Sequence, residues 1–153
     1  MFVCCRDRVV AVDIQGFNVG STFIPKVITA VDPEKKLVTE LVLKPPFPEK
    51  LLGERDQHNV IWCWSHLHHI PWDMGSTVFN EGGLKLSQEM GERFRVIVTK
   101  GHQKARWLRA SLPADTYKVI NIEPDGPKMY KNSRMATLIN ARAIQGFLDQ
   151  YRQ

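Results

Sequence analysis

The sequence predicts an α/β domain with a mixed five-stranded sheet flanked by helices. Three β-rich runs come first along the chain, and further on strands alternate with helices. Strands joined by a short turn pair antiparallel, whereas strand–helix–strand units place their strands parallel, so one sheet holds both orientations. A chain of 153 residues with 43% hydrophobic residues has the size and apolar content of one average domain. We therefore expect a single domain over residues 1–153.

The first three strands are predicted from β-branched and apolar runs. Residues 8–13, Arg-Val-Val-Ala-Val-Asp, are nearly continuous in apolar character, as in a strand that is buried on both faces. A turn is expected at 16–21, followed by strands at 24–31 and 37–43. The sequence Asp-Pro-Glu-Lys at 32–35 is typical of the turn that joins two antiparallel strands.

The middle of the chain is predicted to be less regular. The proline-rich run 44–48 ends the third strand, because proline cannot donate a hydrogen bond to a sheet. Residues 49–75 hold three of the four tryptophans and four of the five histidines, and we expect a long loop or short helices there. Residues 84–94 have helical spacing. The apolar positions of this helix are Leu84, Leu86, Met90 and Phe94.

Strands and helices alternate in the C-terminal part. A strand at 94–99 leads into a basic amphipathic helix at 102–112, and the last strand is predicted at 117–122. The buried positions of the basic helix are predicted to be Ala105, Leu108 and Leu112. Asn132 or Ser133 can cap a final helix. The apolar face of that helix is predicted to consist of Met135, Leu138, Ile139, Phe147, Leu148 and Tyr151.

The composition favours an intracellular protein that meets polyanions. Its formal charge of +5 favours encounter with nucleic acid. Three cysteines, Cys4, Cys5 and Cys63, leave one unpaired, which is typical of a reducing compartment. The longest apolar runs are far shorter than the roughly 20 residues that cross a bilayer, and the sequence shows no signal-peptide core. We expect a cytoplasmic or nuclear protein without membrane contact.

Three segments resemble the sequence motifs of DEDD-type 3′–5′ exonucleases, which have an RNase H-like fold. Residues 12–17, Val-Asp-Ile-Gln-Gly-Phe, resemble the first motif, in which strand one supplies an Asp-x-Glu pair. Residues 96–102 are similar to the second motif, a strand and turn before a helix that carries an Asp. Residues 135–141, Met-Ala-Thr-Leu-Ile-Asn-Ala, look like the third motif, His-x-Ala-Leu-x-Asp-Ala. The resemblance implies an RNase H-like, exonuclease-type fold and a nucleic-acid ligand.

The chain departs from these motifs at the residues that hold metal ions. The corresponding positions here are Asp13, Gln15, Arg106, Met135 and Asn140. Only Asp13 is a carboxylate, and methionine cannot act as a general base where the third motif has histidine. One carboxylate does not neutralise the two divalent ions, Mg²⁺ or Mn²⁺, of the active enzymes, so the resemblance implies a member without catalysis or cofactor. We predict that Lys104 or Arg106 occupies the vacated metal position and pairs with Asp13.

Basic side chains crowd two places in the predicted fold, the start of the basic helix and the start of the final helix. In the resembling fold both places border the substrate groove, so these side chains are predicted to contact phosphates. The predicted nucleic-acid-binding residues are Lys100, His102, Lys104, Arg106, Arg109, Lys128, Lys131 and Arg134. The alternative is a solvated helix face, which accounts equally well for Lys104 and Arg109.

The segment 49–75 holds two further candidate sites. Thiolate and imidazole are the usual zinc ligands, and the zinc candidates are Cys63, His66, His68 and His69. Their spacing fits no standard zinc finger, which favours a cluster of surface side chains. The tryptophans of the segment either offer stacking faces for unpaired bases or anchor the segment in the core. These tryptophans are Trp62, Trp64 and Trp72.

Three functions remain open from the sequence. The first is a catalytically inactive exonuclease-like domain that binds nucleic acid, DNA or RNA, or acts as a scaffold. The second is a metal-dependent nuclease in which Asp13 works with other acids, such as Asp73, Glu81 or Glu123. The third is a protein-interaction module that docks a partner through the tryptophan-rich segment. The signatures Asp-x-Gln-Gly-Phe and Lys-Pro-Pro also resemble those of uncharacterised insect and insect-virus proteins.

Overall fold

The structure, a computed structural model, describes residues 9–150. Its strands are β1 Val9–Val19, β2 Thr22–Val31, β3 Leu37–Val42, β4 Val96–Thr99 and β5 Lys118–Asn121. Its α-helices are α1 Glu54–Cys63, α2 Gly82–Met90, α3 His102–Ser111 and α4 Ala136–Asp149. Cys4, Cys5 and Tyr151, on which predictions were made, lie outside the described residues.

The five described strands form one mixed sheet in the order β3-β2-β1-β4-β5. The first three strands pair antiparallel, whereas β4 and β5 continue the sheet parallel to β1. The helices α2 and α3 cover one face of the sheet, and α4 packs on the other face against β1 and β2. This arrangement confirms the predicted α/β class and the mixed five-stranded sheet flanked by helices.

Side chains of β1 alternate between the two faces of the sheet, as in any strand. Val12 and Ile14 lie in the main core beneath α2 and α3. Ala11 packs on the opposite face, in a smaller core with Ala141 of α4. Asp13, two residues after Ala11, therefore also faces α4, where it is completely buried. The alternation along β1 thus positions a carboxylate between the sheet and a helix.

The turn predicted at 16–21 is limited to Gly20 and Ser21, because β1 continues through Val19 before the chain reverses. The strand continues as a β-bulge at Gly16, which packs so closely on β2 that a Cβ would lie 2.0 Å from the Ile24 carbonyl oxygen. After the bulge, Phe17 enters the core beside α1. Glycine is required at this position because the two strands approach closely. In the sequence, such a glycine cannot be distinguished from a glycine in a turn.

Residues 49–75 contain short helices, which is one of the two predicted alternatives. A single π-helical turn, Trp64–His68, follows α1 directly. Val60 and Cys63 of α1 pack against Phe17 in a second core beside the β1–β2 hairpin. This segment therefore extends the hydrophobic interior beyond the five-stranded sheet.

The apolar faces predicted for two helices are partly wrong. Leu84 of α2 is 60% exposed, and Met135 and Ile139 at the start of α4 are each 46% exposed. The buried positions of α4 are instead Ala136, Thr137, Asn140, Ala141, Ile144 and Gln145. Small and polar side chains of α4 surround Asp13, whereas Met135 and Ile139 lie at the rim of the contact. None of the helices described in residues 9–150 is both long and apolar enough to cross a membrane.

Candidate functional site

A buried ion pair forms the centre of the candidate site. The side chain of Asp13 is completely buried, and that of Lys104 is 20% exposed. Lys104 Nζ donates to Asp13 Oδ1 at 2.6 Å, and Asn140 Nδ2 donates to Asp13 Oδ2 at 2.8 Å. The predicted pairing of Lys104 with Asp13 is confirmed. Arg106 does not form it, because Arg106 faces a groove on another side of α3.

Strand pairing explains how α3 reaches the carboxylate. β1 and β4 run parallel with Ala11 beside Val98, so Asp13 is level with the end of β4. Gly101, at φ 135°, then makes the turn into α3, in a conformation that residues with a Cβ rarely adopt. Lys104 lies in the first turn of α3 and extends back to Asp13. The parallel pairing of β1 and β4 thus brings Asp13 and Lys104 into contact, although they are 91 positions apart in the sequence.

Two amide side chains and a loop enclose the ion pair. Asn140 accepts a hydrogen bond from the Tyr130 backbone N–H at 2.7 Å and donates to the Tyr130 carbonyl at 2.8 Å. Gln15 Nε2 donates to the same carbonyl at 3.3 Å. An amide donates where a carboxylate only accepts, so Gln15 and Asn140 suit a site with one negative charge. Met135, for which the sequence comparison predicted the position of a general base, is exposed before α4, and its thioether is a much weaker proton acceptor than an imidazole.

A pair of threonines adjoins the site, and sequence reasoning did not identify it. Thr29 is the β2 residue that pairs in register with Asp13. Its hydroxyl lies 2.7 Å from the hydroxyl of Thr137 on α4, and both side chains are buried. The contact joins α4 to the sheet without introducing charge. Because β-branched Thr29 fits any strand, the sequence gives no local signal for this pair.

Neither Mg²⁺ nor Mn²⁺ fits the residues at this site. The exonucleases that the chain resembles hold two such ions with four carboxylates. Here both oxygens of Asp13 accept from N–H donors, and one donor is an ammonium that repels cations. In the part of the chain that the structure describes, no three His, Cys, Asp or Glu side chains are grouped to hold a metal ion. Asp73, Glu81 and Glu123, the acids of the nuclease hypothesis, are exposed and form no such group with Asp13.

The four zinc candidates do not come together either. Cys63 is buried at the end of α1, and burial raises the pKa of its thiol. His66 is exposed and stacks on Trp62, with ring centroids 4.7 Å apart. His68 is buried and accepts a hydrogen bond from the Ile70 backbone N–H at 3.1 Å, whereas His69 is exposed. Among residues 9–150 no three His, Cys, Asp or Glu side chains are grouped so that they could hold a metal ion.

A second buried cation, Lys26, lies on the opposite face of the sheet from Asp13. It is 2% exposed, and its Nζ donates to the Trp72 carbonyl at 2.5 Å. Burial lowers the pKa of Lys26 to about 8, and the Asp73 carboxylate partly offsets the effect. Burial also lowers the pKa of the neighbouring His68 to about 4. Sequence reasoning missed Lys26, although a lysine inside the apolar run 24–31 was a visible signal.

Most of the predicted nucleic-acid-binding residues are engaged within the fold. The engaged side chains are Lys100 with the Pro127 carbonyl, His102 with Asn121, Lys104 with Asp13, Arg109 with the Val119 carbonyl, and Arg134 with Glu40. The side chains of Arg106, Lys128 and Lys131 are exposed and make no side-chain hydrogen bond or ion pair with another residue in 9–150. Among the predicted residues, the cations without such a partner in the described range are Arg106, Lys128 and Lys131, and they lie outside the buried centre.

The three tryptophans of the 49–75 segment divide between core and surface. Trp72 is 3% exposed and donates its indole N–H to the Phe47 carbonyl at 2.9 Å, so it anchors the segment. Trp62 and Trp64 are 51% and 42% exposed. Two aromatic faces thus remain accessible on the surface around α1.

Comparison with known proteins does not assign the chain to a family. Neither a known protein family nor a curated protein sequence matches the chain. The geometry of the site is therefore the basis for the function proposed below.

Proposed function

We propose that the chain is a catalytically inactive, RNase H-like domain of the exonuclease type that binds nucleic acid without cleaving it. The observation that carries the proposal is the buried Lys104–Asp13 ion pair. Metal ions in nucleases bind and activate the attacking water, whereas an ammonium has no ligand position for water. The strand order, with the acidic residue on the central strand β1, supports the exonuclease-type interpretation.

Charge and accessible side chains support the binding role. The chain carries a formal charge of +5, and Arg106, Lys128 and Lys131 are exposed without an internal partner in the described range. Such cations release counterions from phosphates when nucleic acid binds, which favours association at low salt. Trp62 adds an exposed aromatic face on which bases can stack.

The test is incubation of the purified full chain with end-labelled single-stranded RNA and DNA, in Mn²⁺, Mg²⁺ or EDTA. Polarisation measures binding, and a denaturing gel measures the length of the labelled strand. We expect affinity that falls steeply with salt, is equal with metal and with EDTA, and is accompanied by no shortening. Shortening that requires metal and disappears in Asp13→Asn would show a nuclease and contradict the proposal.

A matched pair of double variants tests whether the exposed cations carry the binding. Lys128→Ala with Lys131→Ala is expected to reduce the salt slope of log K by about 0.7 for each lysine removed. The control is Arg95→Ala with Lys118→Ala. These exposed cations lie at the N-terminal ends of β4 and β5, whereas α3 follows the C-terminal end of β4. Equal effects of the two pairs would show binding to overall charge and not to this surface.

The second candidate function is a protein-interaction module. Ile61 and Trp64, which are 48% and 42% exposed, line a cavity of about 180 Å³ together with Pro71. An exposed apolar surface of this kind is typical of protein contacts. This alternative predicts no affinity for nucleic acid at low salt. It also predicts binding of an apolar fluorescent dye such as ANS that Trp64→Ala reduces.

A further inference from the structure

A groove separates the β1–β2 hairpin from α3. Its volume is about 350 Å³, which lies at the lower end of the roughly 300–1,000 Å³ range of ligand pockets. The hairpin contributes Thr22 and Phe23, and α3 contributes Gln103, Arg106, Trp107 and Ala110. None of the exonuclease motif positions except Arg106 belongs to this groove, so it is distinct from the buried centre.

The groove combines two aromatic side chains with a free cation. Phe23 and Trp107 are half-buried, because one side of each packs on the main core and the other side lines the groove. Arg106 is exposed, and its guanidinium makes no hydrogen bond or ion pair with any residue between 9 and 150. Thr22, which also lines the groove, is exposed. Aromatic surface binds the face of an unpaired base, and a guanidinium binds phosphate.

We propose that this groove binds one unpaired nucleotide of a single-stranded nucleic acid, with the base against Phe23 and Trp107 and the phosphate at Arg106. The inference rests on the proposed nucleic-acid binding and names its structural class. A base within a duplex is stacked on both sides and cannot present its face to the aromatic walls. The groove therefore selects single strands, without selecting sequence.

The position of the groove connects it to the rest of the candidate surface. Gln103 lines the groove and donates to Asn18 of the hairpin at 3.2 Å, which fixes the hairpin against α3. The next residue along α3 is Lys104, which pairs with Asp13. A strand that crosses the start of α3 thus contacts the groove and the entrance to the former catalytic centre.

The test compares the affinity of full-length variants for a labelled single strand of about 12 nucleotides, a length within the usual site size. Arg106→Glu is expected to weaken binding about tenfold, because it replaces the phosphate contact by a repulsive charge. Arg95→Glu is the matched control, with the same charge change at the opposite end of β4. Ala110→Leu blocks the groove without changing charge, and it is expected to weaken binding by a similar factor.

Folding does not complicate these variants, because Arg106, Arg95 and Ala110 are all exposed. An excess of unlabelled duplex of the same sequence is expected to leave the labelled strand bound. Wild-type binding that Arg106→Glu and Ala110→Leu both leave unchanged overturns the groove and leaves the proposed function intact. Displacement by duplex as efficient as by single strand also overturns the groove. Absence of wild-type binding to any strand overturns the proposed function itself.

Discussion

Two lysines place their ammonium groups on opposite faces of the same sheet, and only one of them contacts a carboxylate. Lys104 contacts Asp13 directly at 2.6 Å. Lys26 donates to the Trp72 carbonyl, and Asp73 acts on it only as an exposed, partial counter-charge. The pKa of Lys26 is accordingly lowered to about 8, because the desolvation of the ammonium is incompletely compensated.

The comparison shows that contact with a carboxylate decides how firmly a lysine inside the protein keeps its proton. A carboxylate in contact, held by a second donor from Asn140, makes the Lys104 ammonium part of the interior. A carbonyl dipole, with only the exposed Asp73 as counter-charge, leaves Lys26 close to losing its proton within the range of ordinary buffers. The first arrangement resists replacement by a metal ion, whereas the second makes folding stability depend on pH.

The largest effect is expected from Lys104→Met. Removing the ammonium leaves Asp13 buried without a counter-charge, which is expected to lower the free energy of unfolding by about 3 kcal/mol. The exposed residue Lys118 provides the control variant Lys118→Met, with little expected change. Adding Asp13→Asn to Lys104→Met is expected to restore most of the loss, since the charge is then gone. Denaturant unfolding measures all four proteins, and an unchanged Lys104→Met would show that the ion pair is not formed.

Lys26 is expected to make stability rise with alkaline pH. The unfolded chain holds this proton up to the ordinary pKa of 10.5, whereas the folded chain releases it near 8. The unfolded state therefore binds more protons between these values, and stability increases through that window. Relative to pH 7, the gain at pH 10 is on the order of 2 to 3 kcal/mol. The quantity to measure is the stability difference between wild type and Lys26→Met at both pH values, because the constant cost of losing the Trp72 contact then cancels.

A smaller effect is expected from His68 at acid pH. The unfolded chain protonates this imidazole below its ordinary pKa of 6.5, and the folded chain only near 4. The stability that the neutral imidazole of His68 contributes to the folded state is therefore complete above pH 6.5, and it is lost as the pH falls towards 4. At pH 5 the loss is about 2 kcal/mol. His68→Asn keeps an acceptor for the Ile70 N–H and should remove this part of the acid sensitivity, while the exposed His58→Asn should retain it.

Much of the fold was predictable because it depends on local patterns. The β-branched runs and the alternation of strands and helices gave the correct element order and sheet class. The bulge at Gly16 was not predictable, since a glycine that permits close strand contact and a glycine in a turn are the same residue. The buried face of α4 was misassigned at Met135 and Ile139, because its close contact with the sheet depends on what β1 and β2 present.

The candidate site was partly predictable from collinear motif positions. The sequence placed Asp13, Gln15 and Asn140 in one site. It also predicted that a basic residue, Lys104 or Arg106, takes the place of the metal ions and pairs with Asp13. Arg106 was an equally good choice from the sequence, because only the direction of each side chain on α3 separates the two. The Thr29–Thr137 contact spans 108 positions and depends on tertiary packing alone, so the sequence carried no sign of it.

The measurement that tests the central claim most directly is unfolding of the wild-type protein in millimolar Mn²⁺ and in EDTA. An ion that binds the folded state raises its stability. We predict the same free energy of unfolding in both solutions, because Lys104 and Asn140 already occupy both oxygens of the buried Asp13 carboxylate. A triple variant, Gln15→Glu with Lys104→Asp and Asn140→Asp, is the positive control and is expected to be stabilised by Mn²⁺. Stabilisation of the wild type by Mn²⁺ that Asp13→Asn abolishes would contradict the account.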